Sequence, residues 1–300
     1  MSEQVKESIR VLLSGAIDYA GLFPPAGLSM ADSVINYATY RNSNYRWMLG
    51  RFVCPVKRLD EFSESARDFF PREKGDEWRI SALATDNLNE TADVIEAFNE
   101  KFAGKARIDA LELKASSELE IEAAAKAIPA NLTNYFELPL DDSLSETVSA
   151  LAVNGQRAKI RTGGVTSDLI PSANDVIRFI RTCLAANTPF KATAGLHHPI
   201  RCFKPLTYEP DSPSGTMHGF LNVFLATGYA REGYRPEMLE QVMEEEFEEV
   251  FEFTDNEAVW QKEYVLTVYQ IEALRAKGIN AFGSCSFDEP IADLQELGIL

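Results

Sequence analysis

Short apolar runs rich in β-branched and aromatic residues alternate along the chain with longer segments whose apolar positions recur at helical spacing. The short runs predict strands at 16–20, 47–53, 79–84, 107–113, 133–138, 158–161, 190–193 and 279–283. The longer segments predict helices at 3–13, 59–70, 89–102, 118–127, 143–153 and 173–186. Several of these helices begin beside Ser, Asp or Asn, the preferred N-cap residues. A repeat of strand and helix indicates a parallel sheet covered by helices.

Right-handed crossovers leave two main architectures for such a repeat, a closed barrel and an open doubly wound sheet. The chain has 300 residues, and a (β/α)8 barrel typically has about 250. No GxGxxG motif follows the first predicted strand, so the dinucleotide-binding form of the open sheet lacks its signature. We therefore predict an α/β protein with one TIM-barrel domain over residues 1–300.

One interval interrupts the repeat, between the seventh and eighth predicted strands. Residues 196–278 contain a Pro-rich loop, 197–214, followed by two or three predicted helices within 217–277. In a barrel this insertion leaves from the C-terminal end of strand seven, the face on which barrel enzymes carry their active sites. We expect it to form a helical lid or a contact in a homo-oligomer.

Acidic residues outnumber basic ones by 46 to 29, so the formal net charge is −17. This charge repels phosphate backbones and anionic lipids, which argues against nucleic-acid and membrane partners. The insertion contains an acidic stretch, 243–257. We predict that this stretch is a solvated helix with Phe247 and Phe251 on its buried side.

The cellular compartment is predicted from the lack of an apolar membrane span, a signal peptide and a disulfide pattern in the sequence. No run approaches the ~20 apolar residues of a membrane span, and the opening segment MSEQVKESIR has no apolar core of a signal peptide. The 4 cysteines are widely spaced and form no CxxC pair, which favours free thiols. We therefore expect a cytoplasmic protein.

Basic residues lie on the adjacent strands six and seven, just before Gly-containing turns. Lys159 and Arg161 share one face of strand six, and Lys191 lies on strand seven. A cation on a barrel strand is tolerated where it faces the hydrated mouth of the interior. Crowded cations destabilise one another's charged forms, so one lysine can become an amine nucleophile and form a Schiff base. Alternatively, all three stay charged and bind an anionic substrate, or the lysines pair with Glu112 or Glu137 inside the barrel.

Three short motifs contain these lysines and a further turn: Lys159-x-x-Thr162-Gly163, Lys191-Ala-Thr193-Ala-Gly195 and Gly283-Ser284-Cys285-Ser286. The first two resemble the strand-six and strand-seven lysine motifs of deoxyribose-phosphate aldolase and related class I aldolases. The third is similar to the strand-eight turn that holds the substrate phosphate in that family.

The resemblance implies that Lys159 forms the imine and that Lys191 favours the neutral form of that amine. It also implies a phosphate site lined by Gly163, Gly164, Gly195, Ser284 and Ser286. Backbone N–H groups at such turns, beside a helix predicted to begin at 288–290, favour anion binding independently of the resemblance. We assign Arg161 to substrate binding and Glu112, on strand four, to proton transfer.

The 3 histidines of the chain, His197, His198 and His218, lie within residues 197–218. The first two follow the strand-seven turn, where a histidine can act as a general acid or base near neutral pH. We assign His197 to catalysis and His198 to substrate binding. As an alternative, the two histidines bind a divalent metal together with Glu112 or Glu137.

The apolar, Pro-rich segment 18–27 accompanies the first predicted strand. If that strand belongs to the barrel, Asp18 or Tyr19 lies at the active mouth, and the turn at 23–25 walls the pocket; we assign Asp18 to substrate binding. Alternatively, Asp18 caps a packed structural loop.

These residues favour a carbon–carbon lyase of the aldolase type that needs no cofactor. Its substrate would be a small phosphorylated or carboxylated metabolite that forms an imine with Lys159. Two alternatives remain. One is a metal-dependent lyase, isomerase or hydrolase that uses His197 and His198; the other is a non-catalytic barrel that binds an anionic metabolite.

Overall fold

Eight parallel strands form a closed barrel in the computed structural model, which describes residues 5–72 and 75–300. The barrel strands in chain order are β1 Ile17–Tyr19, β2 Leu49–Pro55, β3 Trp78–Leu83, β4 Ala106–Lys114, β5 Thr133–Glu137, β6 Arg157–Arg161, β7 Phe190–Thr193 and β8 Ile279–Ser284. Because β1 pairs with both β2 and β8, the sheet has no free edge. The predicted (β/α)8 barrel is confirmed, and each predicted strand overlaps an observed one.

Helices cover the outside of the barrel. In chain order they are α1 Glu7–Leu13, α2 Met30–Arg41, α3 Leu59–Ala66, α4 Leu88–Lys101, α5 Glu118–Ala127, α6 Leu144–Val153, α7 Ala173–Ala185, α8 Phe220–Arg231, α9 Pro236–Glu244, α10 Val268–Lys277 and α11 Asp288–Glu296. Side chains of Asn87, Ser117 and Ser172 accept backbone hydrogen bonds at the starts of α4, α5 and α7, as N-caps do. The predicted start of the first helix, at residue 3, lies outside the described residues. No helix in the described ranges is long and apolar enough to cross a membrane.

The sequence prediction omitted α2, which completes the first strand–helix unit. Ser29 caps this helix by accepting a hydrogen bond from the Asp32 N–H at 3.1 Å. Its buried side chains include Val34 and Tyr37, which are three residues apart and lie on one face. The signal was weak because tyrosine supplies much of the apolar face; the Tyr37 hydroxyl donates to the Gly50 carbonyl at 2.8 Å while its ring packs in the core.

The interval 196–278 contains the helices α8, α9 and α10, a small hairpin and a three-stranded sheet, and its role as a lid stays a prediction. Nearly every side chain of α8 is buried, and a helix that is apolar all round needs cover on several sides. It packs beside α7 and against β8, where the Phe220 and Phe282 rings stack with centroids 4.9 Å apart. This helix therefore occupies the ring position between β7 and β8. The Pro-rich loop contains a small hairpin of Cys202–Pro205 and Ser214–Met217.

The acidic stretch 243–257 is not a helix, so that prediction is wrong. After α9 the chain enters an antiparallel sheet of three short strands, Phe251–Phe253, Glu257–Trp260 and Tyr264–Thr267. Apolar and acidic residues alternate in the first of these strands, which is the pattern of a half-exposed strand. Phe251 is buried whereas Phe247 is 66% exposed, so the two do not share a buried face.

Candidate active site

A line of alternating charges crosses the interior of the barrel. Its members come from five strands: Asp18 on β1, Glu112 on β4, Glu137 on β5, Lys159 and Arg161 on β6, and Lys191 on β7. Side chains alternate between the two faces of a strand, so each of these residues occupies an inward position of its strand. The closed barrel thereby joins residues as far apart in sequence as Asp18 and Lys191, which are 173 positions apart.

Lys191 lies at the buried end of this line. Its Nζ donates to Asp18 Oδ2 at 2.5 Å and to Glu112 Oε1 at 2.8 Å, and it lies 5.4 Å from the centre of the Tyr135 ring. The side chain is 1% exposed. Burial lowers the pKa of Lys191, but the two carboxylates outweigh burial and hold that pKa well above its ordinary value. Lys191 is therefore a fixed cation at neutral pH.

Lys159 is the central cation of the line and lies on the wall of a cavity. Its Nζ is 2.8 Å from Glu112 Oε2 and 2.9 Å from Glu137 Oε2. Beyond it, Arg161 Nε lies 3.5 Å from Glu137 Oε1, and the Arg161 side chain is 48% exposed. Exposure therefore increases along the line from Lys191 to Arg161.

Glu112 is the carboxylate that both lysines share. One of its oxygens faces each lysine, and the Ser81 hydroxyl adds a third hydrogen bond at 2.7 Å. Burial raises the pKa of Glu112, but Lys159 and Lys191 outweigh burial and hold that pKa well below its ordinary range. Glu112 therefore offsets the repulsion that we expected between the two lysines. The observed contacts match the alternative in which the lysines pair with carboxylates inside the barrel.

The cavity above this line has a volume of about 920 Å³. Seven of the predicted site residues line it: Glu112, Lys159, Arg161, Gly164, Lys191, Gly195 and His197. The other five do not line it: Asp18, Gly163, His198, Ser284 and Ser286. Asp18 lies behind Lys191, where its second oxygen accepts the Arg51 N–H at 2.7 Å.

Gly163 and Gly195 bring the turns after β6 and β7 into direct contact. A Cβ on Gly163 would lie 2.8 Å from the Cα of Gly195, closer than side chains approach backbone atoms. The Thr162 hydroxyl also donates to the Ala194 carbonyl at 2.6 Å, which ties the same two turns together. Close packing of the two turns therefore accounts for glycine at both positions, whether or not an anion binds nearby.

The residues of the strand-eight turn have different surroundings: Gly283 and Cys285 line the cavity, whereas Ser284 and Ser286 do not. Ser284 is buried, and its hydroxyl lies 3.5 Å from His197 Nδ1. Ser286 lines a separate depression of about 450 Å³ beside α11. Its hydroxyl accepts the Glu289 N–H at 3.1 Å, near the start of that helix.

The three histidines have different surroundings. His198 Nδ1 lies 2.5 Å from Asp293 on α11, away from the cavity. His218 Nε2 lies 2.9 Å from the Pro171 carbonyl oxygen, and burial lowers the pKa of His218. His197 lines the cavity, with Glu289 Oε2 3.5 Å and Cys285 Sγ 3.9 Å from its Nδ1.

His197 carries a proton at neutral pH. Burial lowers the pKa of His197, but hydrogen bonds to Cys285 and Glu289 outweigh burial and raise the pKa from 6.5 to about 9. The folded pKa therefore lies above the unfolded one. Proton binding stabilises the folded protein fully below about pH 6.5, and this contribution is lost as the pH rises through about 9.

We expect His197→Gln to reduce the free energy of unfolding more at pH 7 than at pH 10, by about 1–3 kcal/mol. Urea denaturation of both proteins at the two pH values measures this difference. His218→Gln is the matched control, since the pKa of that buried histidine is lowered and no such pH dependence is expected. An equal loss at both pH values would contradict a charged His197.

The residues named for a metal site do not assemble into one. The oxygens of Glu112 and Glu137 contact lysines, while His197 and His198 contact Glu289 and Asp293. Across 5–72 and 75–300, no group of three or more His, Cys, Asp or Glu side chains has an arrangement that would hold a metal ion.

Two residues of the site were missed as functional candidates. Glu137 was considered as a partner for charges and as a metal ligand but not as a group in the reaction, yet it is the second carboxylate on Lys159. Cys285 was named only as part of a turn motif, yet its side chain lines the cavity beside His197. Position at a strand end was the available signal for Glu137; nothing in the sequence links Cys285 to a histidine 88 residues away.

The candidate active site thus consists of a buried charge line, a cavity above it and a histidine at the rim. All of these lie on the face formed by the strand ends and the loops that follow them, where barrel enzymes carry their active sites. No protein-family model matches this chain, and a search of curated proteins found no similar sequence.

Proposed function

We propose that this protein is a carbon–carbon lyase of the aldolase type, in which Lys159 forms an imine with an anionic carbonyl compound. The observation that carries the proposal is the position of the Lys159 amine at the cavity wall, 2.8 Å from Glu112 and 2.9 Å from Glu137. An iminium ion at this nitrogen keeps the positive charge of the lysine. Both carboxylates therefore stabilise it. The likeness of three motifs to those of class I aldolases adds support.

The proposed mechanism needs one lysine that stays charged and one that can give up its proton. Lys191 is held between two carboxylates and stays charged, so it keeps Glu112 ionised. Lys159 can transfer its proton to Glu137, whose remaining contacts are Arg161 at 3.5 Å and Lys114 at 4.0 Å. Protonation of Glu137 costs less than protonation of Glu112, which would remove a partner from both lysines at once. Glu137 is therefore a better proton acceptor than Glu112.

The proposed reaction begins with the neutral Lys159 amine, whose proton has passed to Glu137. The amine adds to the substrate carbonyl, and the adduct takes this proton back as it loses water, which gives the iminium ion. The β-hydroxyl of the substrate loses its proton to a carboxylate while the bond between the α and β carbons breaks, and the electron pair enters the iminium ion to form an enamine. An aldehyde leaves. Proton return to the α carbon and hydrolysis release the second product and restore Lys159.

Arg161 is the proposed partner of the substrate anion. Its side chain lines the cavity and is half exposed, and its Nε lies 3.5 Å from Glu137 Oε1. A guanidinium offers two parallel N–H donors to carboxylate or phosphate. The turn residues Gly164 and Gly195 lie on the same side of the cavity.

Borohydride trapping tests the imine. We expect incubation with small 2-oxo acids, hydroxyaldehydes and their phosphates, followed by reduction, to add the mass of one substrate less one oxygen atom at Lys159. Peptide mass spectrometry locates the adduct. The control is Lys126, a 79% exposed lysine on α5, which should stay unlabelled at concentrations that saturate Lys159.

Labelling spread over surface lysines, or none at Lys159, would contradict the proposal. Tight anion binding without any adduct would instead favour the non-catalytic binding barrel, since the same cations serve both functions.

A further inference from the structure

We infer that the natural ligand carries an apolar group, such as an aromatic ring or a branched alkyl chain, on the side of the carbonyl opposite the anion. This inference rests on the proposed function for the orientation of the ligand, and it narrows the substrate class. If the inference is right, the natural ligand is not a doubly phosphorylated sugar.

The wall of the cavity on the β1, β2 and β3 side is largely apolar. It is formed by the turn after β1, the end of β2, and the end of β3 with the segment that follows it. The apolar side chains on this wall are Phe23, Pro24, Pro25, Val53, Leu83 and Leu88. Partial exposure of Phe23 and Leu83 shows that this wall faces an open space rather than the closed core.

The cations occupy the opposite side of the barrel. In the closed strand order, β3 and β7 are separated by three strands in either direction, so they face each other across the interior. Lys159 and Arg161 on β6 and Lys191 on β7 line the cavity on that side. A ligand whose anion reaches Arg161 and whose carbonyl reaches Lys159 therefore directs its remaining part toward Leu83 and Val53.

The charges on the apolar side argue against a second anionic group there. The charged lining residues contributed by the loop after β3 and by α5 are Asp86 and Glu120, both acidic. Within the described ranges, β1, β2, β3 and the loops that follow them contribute no cation to the lining. Lys114 at the end of β4 also lines the cavity, where it lies 4.0 Å from Glu137 on β5. A second phosphate at the wall formed by β1, β2 and β3 would therefore meet Asp86 without a cation from those strands. An apolar substituent instead loses contact with water against Leu83 and its neighbours.

The volume also suits a larger ligand than a three-carbon or five-carbon sugar phosphate alone. Pockets for ligands of drug size typically have volumes of about 300–1,000 Å³. This cavity, at about 920 Å³, lies near the upper end of that range. The space beyond the charged line is therefore large enough to hold a ring.

Two 2-oxo acids that differ in one group test this inference: pyruvate, and 2-oxo-4-phenylbutanoate, which adds a benzyl group to the methyl carbon. Binding is measured by calorimetry and imine formation by borohydride trapping, on the same protein. Burial of a phenyl group predicts that 2-oxo-4-phenylbutanoate binds at least about tenfold more tightly. Leu83→Gln should remove most of this difference. The matched control is Leu119→Gln on the outside of α5, where the leucine is 78% exposed.

The outcomes separate the two proposals. Equal affinity for the two acids, or a preference that survives in Leu83→Gln, would overturn the apolar-group inference even if both acids label Lys159. Failure of both acids to bind would also overturn it. Selective binding of the phenyl compound without any adduct at Lys159 would support the apolar wall and refute the imine mechanism.

Discussion

Replacement of Lys191 by methionine is expected to reduce the free energy of unfolding at pH 7 by about 3–5 kcal/mol. Methionine has a similar length but no charge, so Asp18 and Glu112 would be left buried without the cation that now contacts both. Asp18 is 0% exposed and Glu112 is 4% exposed, so water cannot replace the lost partner. Urea denaturation of the wild-type and variant proteins measures the loss.

Lys126→Met is the matched control, because that lysine is exposed and its ion pair with Glu122, at 3.8 Å, contributes little. A second change should restore part of the lost stability. In Lys191→Met with Asp18→Asn, one of the two carboxylates that lost the Lys191 cation is replaced by a neutral amide, so the two effects should not add. A loss below about 1 kcal/mol in Lys191→Met would mean that the charge line does not stabilise the barrel.

Replacement of Lys159 by arginine is expected to abolish imine formation and to reduce carbon–carbon cleavage by at least about 1,000-fold. The guanidinium stays protonated at neutral pH, so it cannot act as an amine nucleophile. It can still donate to Glu112 and Glu137, which keeps the ion pairs of the fold. Trapping yield and turnover of any acid that labels the wild type measure the loss of reaction.

Thermal and urea unfolding of the same variant provide the control for folding. Lys159→Met, which removes the charge as well, should lose both the reaction and stability, because it leaves two carboxylates without their shared cation. Comparison of the two variants separates the nucleophile from the ion pair. Turnover in Lys159→Arg close to that of the wild type would rule out an imine at this residue.

The barrel could be predicted from sequence because its signals are local. Strands such as Phe190–Thr193 and helices such as Glu118–Ala127 were predicted with their observed bounds, since apolar spacing and N-cap residues act within a few positions. Local signals failed where two patterns compete. In 243–257 the acidic residues suggested a helix, but the alternation around Phe251 belongs to a strand.

The chemical residues were recognised in the sequence by type, whereas their partners were decided by the closed sheet. Lys159, Arg161 and Lys191 were identified because cations on barrel strands must face the interior mouth. Which carboxylate faces which lysine depends on strand order and register, which bring Glu112 between two lysines 47 and 79 residues away. The same long-range geometry placed Cys285 and Glu289 beside His197 and turned His198 toward Asp293.

The sequence by itself thus determined the strand–helix repeat, the barrel and the identity of the buried cations. Only the tertiary structure decided that these cations form an alternating line with three carboxylates, and that an apolar wall faces them across the cavity. The physical reason is the separation along the sequence over which each kind of interaction acts. Secondary structure follows from interactions over one or two turns, whereas the charge state of a buried group depends on every charge within a few ångströms, whatever its position in the chain.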